Sequence, residues 1–150
     1  MSDASRPSVE DPHNLNRFIQ AQHEVYEQAL AEIRDGRKRS HWMWFIFPQI
    51  EGLGSSTTAK KYAIKSRAEA EAFLAHPVLG PRLVACSQAA ASIHAAVSAH
   101  DVFGSPDDLK LRSSVTVFAC VLPEGSVSHH LLDRYFRGER DTATLLLLDI

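Results

Sequence analysis

HWMWFIFPQIEGLGSS, residues 41–56, decides how this chain is read. Both tryptophans of the protein, Trp42 and Trp44, stand in it beside Met43, Phe45, Ile46 and Phe47. From 42 to 47 the run is apolar on every side, so neither a helical nor a strand period can be read from it. Such a segment has to be covered all round, and each indole N–H needs an acceptor once it is buried. Directly after it come Pro48, Gln49, two glycines and a row of small hydroxyls. Two readings follow. The run is the central plug of a small fold, or it is one wall of a pocket in which His41, Gln49 and the 52–56 turn set polar groups beside apolar surface. Ser55 to Thr58 can cap the helix that continues through Ala59 to Tyr62, and a helix start behind Gly and Ser suits an anion. GLGSS lacks the glycine pattern and the Lys-Ser/Thr ending of a P-loop.

Outward from this run, helices are marked on both sides. Leu15, Phe18, Gln22, Val25, Ala29 and Ile33 recur at three and four residues, which predicts one amphipathic helix of about five turns ending at Asp35-Gly36. Gln22 lies inside that stripe and must find a partner there, because an unpaired buried amide costs about 1 to 3 kcal/mol. Ser66 and Glu69 read as a capping box. Pro77 and Pro81 each suit the first turn of a new helix, the later one running to about Ser98. Ser105-Pro106-Asp107-Asp108 offers a cap hydroxyl, a first-turn proline and two acids facing the positive end of the dipole. Leu111, Ser114, Val115, Phe118, Ala119 and Leu122 then line a buried face, with Asp108 and Arg112 spaced to pair on the wet one. Shorter helices are expected over Val127 to Phe136 and Thr142 to Leu148, the last capped by Asp141. No strand alternation or internal repeat is visible. The expectation is an all-α, compact single-domain bundle of six or seven helices over residues 15–150, preceded by a loose arm over residues 1–14.

Composition narrows the function classes. With 150 residues, 45% hydrophobic, 23% charged and a formal charge of -2, the chain is an ordinary globular domain without the basic footprint of a nucleic-acid binder. Arg37, Lys38 and Arg39 form the one basic knot, placed where a helix C-terminus attracts cations. The apolar segments are too short to span a bilayer, and no signal peptide is readable. Cys86 and Cys120, each in an apolar helical stretch, read as free buried thiols of a reducing, cytoplasmic compartment. No HExxH or CxxC occurs, so no metal is expected.

AQ at 21–22, YEQALAEIRDGRKRSHWMWFIFPQ at 26–49, GLGSS at 52–56, HPVLGPRL at 76–83, SPDDLKLRSSVTVF at 105–118 and YFRGERDTATLLLL at 135–148 together resemble the DUF1810 family, a family of unknown function found in small bacterial proteins. The resemblance spans nearly the whole chain and implies an all-α fold. It carries no residue roles.

For function, two classes stand. The first is a small-molecule site, for a planar anionic compound of nucleotide-like chemistry, beside residues 41–56. Its candidate holders are Gln22, Trp44, Gln49, Ser55 and Lys65, with Lys110 and Ser113 approaching from the later helix. His41 and Asp108 are the candidates for proton transfer if a reaction occurs. The alternative is a non-catalytic protein-interaction or adaptor domain, in which the polar groups near the plug satisfy one another. A concave polar pocket at 41–56 favours the first class and a flat or grooved apolar patch the second. No cofactor or reaction type can be read from the residues.

Overall fold

A computed structural model describes residues 10–149; residues 1–9 of the expected arm, and Ile150, lie outside the described residues. In chain order the helices are α1 (Asn16–Gln22), α2 (Tyr26–Arg34), α3 (Met43–Ile46), α4 (Thr57–Lys61) and α5 (Arg67–Ala75). They continue as α6 (Leu79–Ala91), α7 (Ala99–Phe103), α8 (Asp107–Ala119), α9 (Val127–Phe136) and α10 (Thr142–Leu147). No strand occurs among the described residues, only an isolated parallel bridge between Ile50 and Ile64. The all-α expectation therefore stands, with ten helices among the described residues in place of six or seven.

The difference in number has two physical sources. The stripe expected as one helix of five turns is broken at 23–25, where His23 N–H bonds to Gln20 C=O and Val25 N–H to Gln22 C=O. These three-residue closures tighten the chain and redirect it, so that α1 packs on α3 while α2 packs on α6. The other source is length: α3, α4 and α7 have only 4, 5 and 5 residues, too few for a hydrophobic period to show. α7 went unmarked although it has a full capping box, with Ser98 accepting from Asp101 N–H and Asp101 accepting from Ser98 N–H.

Most other boundaries follow the expected chemistry. Gly36, at φ +78, closes α2 in a conformation that favours glycine. Ser66 caps α5 through Glu69 N–H, Ser126 caps α9, and Asp141 caps α10 through Thr144 N–H. Pro77 lies in the turn before α6 and Pro81 in its first turn, so the two mark one helix start rather than two. His76 Nδ1 accepts from the N–H groups of Val78 and Leu79, so the imidazole completes the start of α6. α6 ends at Ala91, not near Ser98. At α8 the Ser105–Pro106 peptide is cis and no side chain caps, while Asp107 and Asp108 occupy the first turn. α8 also stops earlier than its apolar pattern, at Ala119 rather than Leu122.

The two longest helices, α6 and α8 with 13 residues each, form the axis of the bundle. Both pack on α3, α5 and α9. α5 approaches α6 so closely that a Cβ at Gly80 would lie 2.1 Å from the Leu74 carbonyl oxygen, which only glycine permits. α8 is buried all round from Ser113 to Ala119, covered by α5, α7, α9 and α10. Two of its interior hydroxyls turn to their own helix: Ser113 Oγ donates to Leu109 C=O and Thr116 Oγ1 to Arg112 C=O.

Residues 42–47 enter this core two ways. Trp42, Met43, Ile46 and Phe47 are buried, whereas Trp44 and Phe45 are half-buried on the outer side. Trp42 packs on Phe47 and Phe103 with ring centroids 6.5 and 6.4 Å apart. Phe73 joins Phe18 at 5.1 Å to Phe118 at 5.4 Å in tilted and edge-on contacts of the favourable kind. Phe45 meets Tyr62 edge-on at 4.8 Å, and Tyr62 meets Phe18, so the outer side of the segment is joined to the same aromatic core.

Candidate functional site

The site grows from the turn after α2. Gly36 reverses the chain so that residues 39–42 return over the last turns of α2, where Glu32 is buried. One carboxylate oxygen, Oε1, accepts from Arg39 N–H at 2.7 Å, Ser40 N–H at 3.0 Å and the Trp42 indole N–H at 2.9 Å. The other accepts from the Ser40 hydroxyl at 2.7 Å. Burial by itself would raise the pKa of this carboxyl. The converging donors outweigh it and lower the pKa from 4.5 to about 2. Glu32 thus stays ionised and holds the indole N–H that the sequence left in need of an acceptor.

The same turn delivers Lys38. Its backbone N–H donates to Val102 C=O and its side chain is almost fully buried. The ammonium donates to Ser40 C=O at 2.6 Å, pairs with Asp107 Oδ2 at 2.8 Å and lies 5.1 Å from the Trp42 ring centroid. Asp107, in the first turn of α8, offers its second oxygen to Lys110 Nζ at 3.6 Å. Lys110 in turn lies 4.5 Å above the Trp44 ring, a cation–π contact. Two ammonium groups therefore share one carboxylate, and the closer is Lys38. Lys110 keeps residual positive charge on a half-exposed indole face. One turn further along α8, Ser114 Oγ is buried with no hydrogen-bond partner among the described residues.

The expected site residues separate into groups. Trp44 and Lys110 meet as described. Asp108 lies beside them in sequence, but its carboxylate accepts from Leu109 N–H and faces His100 Nδ1 at 3.5 Å. The Asp108–Arg112 pair does not form, because Arg112 reaches across to the carbonyls of Glu139 and Arg140 at 2.9 and 3.1 Å. Gln22 is buried inside the fold: its amide donates to Phe45 C=O at 2.6 Å and its carbonyl oxygen accepts from Arg82 at 3.4 Å. It holds the segment from within. Ser113 is committed to its helix. Gln49 is half-buried and its carbonyl closes the bridge by accepting from Ile64 N–H. His41, Ser55 and Lys65 are exposed. The hydroxyl that caps α4 is Ser56, not Ser55, and that helix has only 5 residues. Cys120 is half-buried, in contrast to the deep burial expected of both thiols, and Cys86 alone is enclosed.

Several residues of the site and its frame went unread. Glu32 is one residue from Ile33 and three from Ala29, at the edge of the buried stripe of α2. The reasoning applied to Gln22, that a polar group in a stripe needs partners, points to it as well. Arg17 gives no such signal. It is buried by groups distant in sequence, donating to the carbonyls of Lys61 and Ala63 and pairing with Glu69 at 2.6 Å. Glu69 does not complete the expected capping box. Its carboxylate accepts from Lys65 N–H and from Arg17.

Five surface clefts stand out on the described residues, and residues 41–56 line none of them. The concave polar pocket expected at 41–56 is thus not among them, and the Trp44–Lys110 pair is a half-buried contact at the surface.

The family model described as "Protein of unknown function (DUF1810)" matches residues 12–148, and the chain belongs to that family. The crystal structure of the conserved hypothetical protein Rv1873 from Mycobacterium tuberculosis is similar at a TM-score of 0.90 and 46% sequence identity, over 93% of this chain and 99% of that one. No functionally curated protein matches.

Proposed function

We propose that this DUF1810-family chain binds a planar, anionic small molecule on the platform formed by Trp44 and Lys110. The observation that carries the reading is the Lys110 ammonium, seated on a half-exposed indole and paired only at 3.6 Å with a carboxylate that a closer lysine already holds. Lys38, Asp107 and Lys110 sum to one positive charge beside an aromatic face. Such a surface suits a ligand whose ring stacks on Trp44 and whose anionic group takes the ammonium. The burial of Lys38 and Glu32 supports it from below, because both are locked by short bonds and hold residues 38–44 against the start of α8. Asp108 and His100, the former next to Asp107 in sequence, are turned to each other at 3.5 Å. No described geometry identifies a bond that breaks, and the reading is one of binding.

Titrating the protein with AMP while following tryptophan emission tests this. Trp42 is fully enclosed, so quenching reports Trp44. Lys110→Gln is expected to weaken binding about tenfold, the worth of one charge-assisted contact. Absence of quenching by AMP, together with a bare protein mass in native mass spectrometry after exposure to host extract, would sink the proposal.

A second reading, a protein-interaction domain, is favoured by Leu146 and Leu147 on α10, which are 73% and 47% exposed. It predicts a stoichiometric partner that Leu146→Asp releases. No helix among the described residues is long and apolar enough to cross a membrane. We assign the protein to the cytoplasm on the strength of its two free thiols.

A further inference from the structure

On another side of α8, two residues on from Lys110, guanidinium groups gather without matching carboxylates. Arg134 is spent on the carbonyls of Ile93, His94 and Val97. Arg140 is directed at His129 Nε2 and Cys120 Sγ. Arg112 binds two carbonyls and makes only a loose 3.6 Å contact with Glu139, whose side chain is 71% exposed. Arg137 donates its backbone N–H to Leu132 C=O, but its guanidinium has no hydrogen-bond or ion-pair partner among the described residues. It stands at the end of α9 in the left-handed conformation, φ +56, which a residue with a side chain seldom adopts. With Asp133 and Glu139 as the acids of the 133–140 stretch, these arginines leave an excess of positive charge in a protein whose formal charge is -2.

A helix C-terminus attracts one cation, which accounts for Arg137 alone. It does not account for Arg112, which arrives from a different helix. Arg112 and Arg137 line one cleft of about 270 Å³, walled by Tyr135 and Phe136, with Glu139 at its edge. Arg137 and Tyr135 also line a neighbouring cleft of about 220 Å³. The free guanidinium therefore stands between two concave surfaces with aromatic sides.

We propose that the Arg112–Arg137 cleft is a second binding site, separate from the Trp44 platform, for a small multiply charged anion of the phosphate or pyrophosphate class. Planar guanidiniums from two helices match the oxygens of such a group. Glu139 occupies the place of the anion in its absence, and its long, exposed contact with Arg112 costs little to displace.

Pyrophosphate is the probe, and the width of its phosphorus resonance in the presence of the full chain is the readout. Saturable broadening at low ionic strength is expected. Arg137→Gln should weaken it about tenfold, and the fold is expected to survive because Arg137 holds nothing in place. Glu139→Gln should tighten binding, since it removes the resident competitor, and Lys110→Gln should leave it unchanged. No broadening at millimolar pyrophosphate overturns the proposal. So does broadening that Arg137→Gln leaves intact, that Glu139→Gln weakens, or that Lys110→Gln abolishes. The last outcome would assign the anion to the Trp44 platform.

Discussion

Trp42 and Trp44 are two residues apart and do opposite work. Trp42 is enclosed, its ring among Phe47 and Phe103 and its indole N–H on an ionised Glu32. Trp44 stays half in water under the Lys110 ammonium. Trp42 stands at the N-cap of the four-residue α3 and Trp44 lies within it, so the turn places the two rings on different sides. The short run at 41–56 is therefore a plug on one side and half-buried surface on the other. The inner side is held by buried polar anchors, Glu32 and Gln22, and the outer side is the one on which the proposed ligand would sit.

The sharpest way to break this comparison is to truncate both rings. Trp42→Ala should cost about 3 to 5 kcal/mol in urea unfolding, as expected for a large ring removed from a close-packed core. Glu32→Ala comes next, at about 2 to 4 kcal/mol, because the indole and the 39–40 donors lose their acceptor. Acid should reproduce part of that loss in the unaltered protein. The Glu32 carboxyl is depressed from 4.5 to about 2 in the fold. Its contribution is complete above the unfolded value and disappears as pH falls from about 5 through about 2. Glu32→Gln should flatten that part of the stability profile, and an unchanged profile would remove Glu32 as its source. Trp44→Ala should cost about 1 kcal/mol or less, since the indole gives up only partial burial, while abolishing AMP binding measured by calorimetry. A Trp44 effect as large as that of Trp42 would end the distinction between the two sides. Smallest in energy is a labelling test on the cysteines. Burial pushes the Cys86 thiol up to about 12, so a thiol reagent should modify Cys120 in the native protein and reach Cys86 only on unfolding.

How much of this was legible depended on whether the signal was local. Gly36, the Ser66 and Asp141 caps, and the extents of α9 and α10 are matters of a few neighbouring residues, and they were readable. The break at 23–25 was not, because Val25 continues the apolar spacing of Phe18 and Gln22 and only packing on α3 and α6 shows that the axis turns. α7 is too short for any periodicity. At the site, Trp44 and Lys110 could be nominated from their chemistry, but 66 residues of chain separate them and their meeting is a tertiary fact. Lys38 and Asp107 were read as a helix-end cation and a first-turn acid, each locally sufficient, which concealed their pairing. Arg17 was invisible for the same reason, since the carbonyls that bury it belong to residues 61 and 63.

Those carbonyls give the Ile50–Ile64 bridge a consequence of its own. The chain from 51 to 63 is fastened to the body by the bridge, by the Arg17 guanidinium and by the Tyr62 ring on Phe18 and Phe45. Its tip, Ser55 to Thr58, is exposed, which is where proteases nick and where new termini are tolerated. A cut there would leave each fragment fastened to the other. The two pieces should remain associated after nicking and should reassemble when produced separately, with the outer side of the 41–56 segment on one fragment and Lys110 on the other.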